Sequence, residues 1–286
     1  NEDHPQYKAM RELGDKFEEA TNGRYKMVIY PNGVLGEQGS MAEFIRTGAL
    51  DMAIVPCSVP EGYDSDFAIV GAPYLYDDMD HLRRTTLSGA FDELFKSTRK
   101  FNFEVLTVYT AGERNIYANK PINTPDDLKG MIVRVNDSTT YLNMVKYMGG
   151  VGTAMSQSEV YTALQQGALD GQENPATVIL TNNVAQVNNH LAMTEHAYST
   201  VFLVMSPETW ASFDDETKET FKRVMAECSI EERELSRKMD SEAVAELEKQ
   251  GMTVTYPDKQ QFIDKAADLY AQWDILCEHG TRYGNE

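Results

Sequence analysis

Glu43-Phe44-Ile45-Arg46-Thr47-Gly48-Ala49-Leu50-Asp51 runs straight into the apolar Met52-Ala53-Ile54-Val55, and about 120 residues later the chain repeats the phrase. The second copy is Tyr161-Thr162-Ala163-Leu164-Gln165-Gln166-Gly167-Ala168-Leu169-Asp170, leading into Gly171-Gln172-Glu173-Asn174. Each copy spells a short helix, a glycine able to take the left-handed conformation that closes a helix, and an aspartate opening a strand. Two such junctions with matching flanks predict two similar α/β halves on one chain. Halves that face each other leave a cleft, the ordinary place for a small-molecule ligand.

Outward from these junctions, helices and strands alternate. Tyr7, Met10, Leu13 and Phe17 recur at helical spacing after Asp3-His4-Pro5, and Thr21-Asn22-Gly23 ends that helix. Alternation over 25–30 predicts a strand. A helix is expected over 79–97 and a strand over 104–109. The second half is expected to hold a strand over 131–135, a helix over 139–147, a helix from Asn174-Pro175 to about Asn188, and a strand over 200–205. Between 214 and 250, Phe221, Val224, Met225, Cys228, Leu235, Met239 and Leu247 fall near one face, with Gly251 as C-cap. A helix of that length reaches roughly 50 Å, so it braces both halves; two helices broken near Ser229 are the alternative. A strand over 252–255 and an amphipathic helix over 260–277 close the chain. This order argues for an α/β architecture with mostly parallel sheets, the loops at their carboxyl edges facing the cleft.

At 286 residues the chain has room for two domains. No run approaches the ~20 apolar residues that span a bilayer, and no cationic, apolar leader opens the sequence as given. A net charge of −19 argues against nucleic acid and anionic membrane surfaces as partners. Any anionic ligand therefore needs a local cluster of fixed cations. Cys57, Cys228 and Cys277 form no Cys-x-x-Cys pair, and the five histidines no His-Glu-x-x-His. Neither a metal, nor a disulfide framework, nor a cofactor is expected. There is no Gly-x-Ser-x-Gly elbow and no Walker loop. Gly149-Gly150-Val151-Gly152 follows a helix and is taken as a turn, and Cys57 as a small buried residue.

Three polar residues stand out by position. Arg114 follows the strand ending at Tyr109, Arg134 interrupts the apolar Met131-Ile132-Val133-Arg134-Val135, and Asn174 ends a strand immediately before Pro175. An arginine inside a strand must face something polar, because an isolated buried charge is costly. A carboxylate suits the planar guanidinium, which grips both oxygens at once. A ligand can supply that carboxylate; so can a structural acid such as Asp126 or Asp127.

Asn119-Lys120-Pro121-Ile122, the run from Pro125-Asp126-Asp127-Leu128 to Val135, and the block from Ser158-Glu159-Val160 through Gln172-Glu173-Asn174-Pro175 resemble one family. It is the DctP-like substrate-binding proteins of tripartite ATP-independent periplasmic (TRAP) transporters, and Tyr30-Pro31-Asn32-Gly33-Val34-Leu35-Gly36 is similar to its first-domain signature. The resemblance implies a two-lobed, periplasmic-binding-protein-like (Venus flytrap) α/β fold braced by one long helix. The first lobe is expected at 1–111 with 200–239 and the second at 112–199 with 240–286. It also implies that Arg134 clamps a substrate carboxylate, with Arg114 and Asn174 adding contacts.

The chain departs from the family in places. Relatives begin with a strand before the residues matching 1–5. Gln157 stands where sialic-acid-binding relatives carry an aromatic residue, and Cys57 where they carry an acid; both argue against sialic acid. Further polar candidates are Gln38, Gln157, Asn136 and Tyr198, with His4 and Glu2 near the start.

The expectation is therefore a periplasmic solute receptor and not an enzyme, a monomer that delivers a small organic acid to TRAP membrane subunits and is exported by a signal peptide outside this sequence. Hydroxyl-seeking side chains favour a sugar acid such as glucuronate or galacturonate. The alternatives are a C4-dicarboxylate with Arg114 taking the second carboxylate, a lyase anchored by Arg134, and a ligand sensor.

Overall fold

The computed structural model describes residue 2 and residues 4–270. Helix α1 (Pro5–Ala20) begins at His4, whose Nδ1 accepts from the Gln6 amide at 3.4 Å, and Pro5 takes the first turn. Ala9, Met10, Leu13 and Phe17 turn inward as the helical spacing requires. Residues 25–30 follow the predicted alternation, with Tyr25, Met27 and Ile29 packed on the core and Lys26, Val28 and Tyr30 exposed. They do not form a strand. Alternation chooses which side chains face inward, but a strand needs a hydrogen-bonded neighbour, and none lies beside them among the described residues.

The repeated junctions fold alike. Helix α2 (Gln38–Arg46) leads into β1 (Met52–Pro56), with Gly48 at φ +72° and the Ala49 amide donating back to the Phe44 carbonyl at 2.8 Å. At the second copy Gly167 sits at φ +69°, and the Ala168 amide reaches the Ala163 carbonyl at 2.9 Å. Both are helix closures that only a residue tolerant of positive φ makes cheaply.

After β1 come α3 (Ser58–Tyr63), α4 (Met79–Leu87) and α5 (Asp92–Ser97). The single helix expected over 79–97 is two, because Gly89 turns left-handed between them. Strand β2 (Glu104–Ala118) then crosses into the second half. There β3 (Ile132–Val135), α6 (Thr139–Tyr147), β4 (Val151–Ala154), α7 (Gln157–Gln165), β5 (Gly171–Asn174) and α8 (Ala176–Thr181) follow in turn. The glycine run is a turn only at Gly149-Gly150, since Val151 already opens β4. Strand β6 (His190–Met205) returns across both halves to α9 (Pro207–Ser212). The chain then builds α10 (Asp215–Lys249), β7 (Thr253–Thr255) and α11 (Lys259–Tyr270). The remainder of the helix expected to 277, and Cys277 with it, lie outside the described residues.

One mixed seven-stranded sheet results, in the order β1-β6-β2-β5-β3-β4, with β7 also on β6. Parallel pairing is confined to β3 with β4 and β5, and β6 with β7. The other ladders are antiparallel, because β2 and β6 each run 15 to 16 residues in opposite directions through both halves. Both strands extend well beyond the spans expected from 104–109 and 200–205. Their register shifts between Thr110 and Glu113, where Gly112 lies at φ +104°: a β-bulge at mid-strand.

The bulge divides the packing. Toward one end, one face of the sheet carries Phe202 against Phe67, Phe91 and Phe103, and the other packs on Phe17, Phe213 and Phe221. Toward the other end, the two faces pack on Val133, Met144 and Phe262 and on Val160, Ile179 and Leu247. Helix α10 is unbroken at Ser229; Phe221 to Cys228 join the first pair of clusters, Ala243 and Leu247 the second. Helix α11 packs in the second half, but its Tyr270 reaches back to donate to the Pro73 carbonyl and lean on the first. No described helix is long and apolar enough to cross a membrane.

Candidate ligand-binding site

A cavity of about 1900 Å³ opens between the halves and runs on into the first, past Phe17 and Phe213. Its second-half wall is built where β3 and β5 end and α6 and α7 begin. Arg134 and Asn174 come from the strands, Asn136 and Gln157 from the segments that follow, and Arg114 from β2 just past the bulge. His4 and Ser58 face them from the first half.

Arg134 is 4% exposed. Its Nε and Nη2 donate to the Met155 carbonyl at 2.8 and 2.6 Å, and its Nη1 donates to Gln157 Oε1 at 3.1 Å. Among the described residues no carboxylate bonds it: Asp126 pairs with Lys129, and Asp127 closes the capping box on Thr124. Burial, with the Arg114 charge adding to it and Glu173 opposing, brings Arg134 down to about 10. The side chain stays charged at neutral pH and lacks an anion. Gln157 Oε1 also accepts from Asn174 Nδ2 at 3.1 Å, so one amide oxygen ties the three residues together.

Arg114 is engaged differently. Its Nε and Nη2 grip both oxygens of Glu173, Nη2 also reaches the Glu173 carbonyl at 3.0 Å and Asn174 Oδ1 at 3.2 Å, and Nη1 donates to Ser199 Oγ at 3.0 Å. The guanidinium lies 5.0 Å from the centre of the Tyr141 ring. His196 Nε2 approaches Glu173 Oε2 at 3.2 Å. Burial alone would raise Glu173; Arg114 and the hydrogen bonds to it more than reverse that and bring it to about 2. Burial pushes His196 below its ordinary value. The set carries two positive charges and one negative. Sequence reasoning missed Glu173, His196, Ser199 and Tyr141; the one local signal was an acid beside Asn174 inside a strand.

The remaining candidates separate. Asn136 lines the cavity with its Oδ1 buried and without a partner among the described residues. His4 lines it while capping α1, and burial pushes its imidazole down to about 4. Gln38 begins α2, but its side chain lies outside the described residues. Glu2 is exposed in a turn. Tyr198 does not line the cavity: on β6, Ser199 and Val201 face it, and period-two alternation turns Tyr198 toward Tyr76 and Glu113 on the other side. Cys57 is buried, donating from Sγ to the Phe67 carbonyl at 3.2 Å, and burial raises its thiol. It has no nucleophile's setting.

The model of the bacterial extracellular solute-binding proteins of family 7, DctP, matches residues 1–274. The chain belongs to this family. The sialic acid-binding periplasmic protein SiaP of Vibrio cholerae is 32% identical over 273 residues, covering 94% of this chain and 84% of that protein. Among solved structures, a TRAP periplasmic solute-binding protein of a Bradyrhizobium, complexed with galacturonate, superposes at TM-score 0.94 with 26% identity. The match covers 100% of this chain and 97% of that one. A TRAP periplasmic solute-binding protein from Pseudomonas putida F1 with bound D-glucuronate superposes at 0.90, with 29% identity over 99% and 91% of the two chains. The resemblance in the motifs and the two-lobed α/β architecture are thus both borne out.

Proposed function

We propose that this DctP protein captures a sugar acid carrying one carboxylate, with glucuronate and galacturonate as the leading candidates, and delivers it to TRAP membrane subunits from the periplasm. One observation carries the reading. Of the two buried arginines in the cavity wall, Arg114 is matched by Glu173, which leaves Arg134, bonded only to neutral acceptors, as the seat for a single ligand carboxylate. A C4-dicarboxylate needs a second unmatched cation at that seat. Asn136 Oδ1, Gln157 and Ser199 offer partners for hydroxyls. Structural relatives with bound galacturonate and glucuronate support the class. Gln157 in place of an aromatic residue speaks against sialic acid.

Binding makes and breaks no bond; it shifts an open–closed equilibrium. The lobes are 1–111 with 200–239 and 112–199 with 240–286, and the bulge in β2 at Ala111-Gly112 supports a hinge there. Calorimetry with D-glucuronate, D-galacturonate, succinate and N-acetylneuraminate tests the reading. Tight binding of a uronate with one proton-independent carboxylate contact is expected; preference for succinate would replace the sugar acid with a dicarboxylate.

A further inference from the structure

Helix α3 and the start of α6 form facing parts of the cleft wall: Ser58, Val59 and Tyr63 line it from the first half, Asn136 and Asp137 from the second. Behind that wall the Glu61 carboxylate crosses from one side to the other. Its Oε2 accepts from Ser138 Oγ at 2.7 Å, and its Oε1 accepts from the Thr140 amide at 3.0 Å and from Thr140 Oγ1 at 2.7 Å. Ser138 is the N-cap of α6 and also accepts from the Tyr141 amide at 3.2 Å. Glu61 therefore satisfies an amide that a helix start leaves open, and sets a negative charge at the positive end of the helix.

The second observation lies two residues away. Among the described residues the Asn136 side chain makes only a long 3.5 Å bond from Nδ2 to Ser58 Oγ, and its buried Oδ1 has no partner. A buried acceptor left unpaired costs free energy, which a ligand hydroxyl donating to it would recover. Asn136 is thus bracketed by residues 58 and 61 on one side and by the α6 cap on the other.

We propose that Glu61 is a positioning residue for ligand capture: by clamping α3 to the first turn of α6 it aims Asn136 Oδ1 at a ligand hydroxyl and holds that wall closed while ligand is bound. The inference rests on the cleft taking a hydroxylated acid. Glu61 touches no ligand itself, so its effect falls on the dissociation rate.

The test uses Glu61→Ala, Glu61→Gln, Thr140→Val and the Glu61→Ala/Thr140→Val double variant, with D-glucuronate and D-galacturonate as probes and amide exchange across 138–142. Glu61→Ala is expected to raise the dissociation rate about tenfold, the usual place for the loss of a hydrogen-bonded charge partner to appear. Thr140→Val added to it should cost little more, because both remove one coupling. Glu61→Gln, keeping one acceptor oxygen, should recover part of the loss. A dissociation rate for Glu61→Ala within about twofold of the parent overturns the positioning role, since non-interacting sites show no such coupling. If the parent binds neither sugar acid, the ligand class falls instead, and exchange decides the clamp: faster exchange over 138–142 in Glu61→Ala upholds it, and unchanged exchange overturns it.

Discussion

Arg114 and Glu173 meet as a buried, two-pronged ion pair that joins β2 to β5, with His196 of β6 closing on the same carboxylate. The pair sits beside the bulge where the β2–β6 ladder changes register. Three strands are thereby pinned at the point where the halves meet, and Arg134 is left bonded to neutral acceptors.

Breaking that pair should be costly. Glu173→Gln leaves the Arg114 charge buried without its partner, a loss of about 3–5 kcal/mol. For a chain of this size the thermal midpoint should fall by roughly 10 °C. Because Glu173 is held near 2 in the folded protein against an ordinary 4.5, its contribution is present above about 4.5 and fades as pH falls toward 2. Scanning calorimetry of parent and variant from acid to neutral pH measures both effects; equal midpoints at neutral pH would deny the pair its structural weight.

Arg134→Ala should abolish ligand binding, and Arg134→Lys should not restore it. A lysine keeps the charge but cannot hold the Met155 carbonyl with two donors and still present a flat edge to a carboxylate. The loss is about 3–5 kcal/mol, or roughly 100-fold and more in affinity. Titration calorimetry would remove the clamp assignment if Arg134→Lys bound like the parent.

Gln157→Phe should weaken a sugar acid by about 1–2 kcal/mol, because its Oε1 is the shared acceptor for Arg134 and Asn174 and both donors lose it. Affinity equal to the parent's would place Gln157 outside the machinery.

Glu232 supplies a pH dependence. It is buried on α10 with Ser236 Oγ at 2.9 Å, and burial pushes it up to about 7 despite that bond. Ser236 has one hydroxyl hydrogen and already faces the Thr110 carbonyl at 2.9 Å, so a proton on Glu232 lets both bonds form. The raised value means its favourable contribution is full below about 4.5 and is lost as pH rises through about 7. Glu232→Gln should therefore gain on the parent by about 2 kcal/mol at pH 8 relative to pH 5. Unfolding midpoints of the two proteins at both pH values check this, and parallel curves would refute it.

Saturation with ligand should shrink the molecule without changing its helix and strand content. Among the described elements only β2, β6 and α10 run through both halves, so a rotation about the bulge leaves each core packed. Small-angle scattering with and without a uronate reads this; a radius of gyration that stays constant on saturation would reject closure.

Much of this molecule was legible in one dimension because the deciding interactions are local. The Gly48 and Gly167 closures, the unbroken 35-residue α10 and the placement of Arg134 on a strand follow from hydrogen bonds and side-chain periodicities spanning a few residues. Arg134 lacked a fold to tell a ligand from Asp126 or Asp127, but its need for an anion was already visible. Tertiary structure alone matched Arg114 to Glu173, 59 residues away, and so turned one of two apparent ligand cations into a strand-joining pair. It alone ran β2 and β6 through both halves, since no local pattern announces which strand a residue will pair with. The cleft wall shows why faces could not be assigned from sequence: Ser199 continues the alternation of Val201 and Leu203 and leaves Tyr198 behind it, but which of the two sets faces the cleft is decided by the pairing of β6 with β1 and β2. Local periodicity determines what a segment can be; pairing across the chain determines which way it faces.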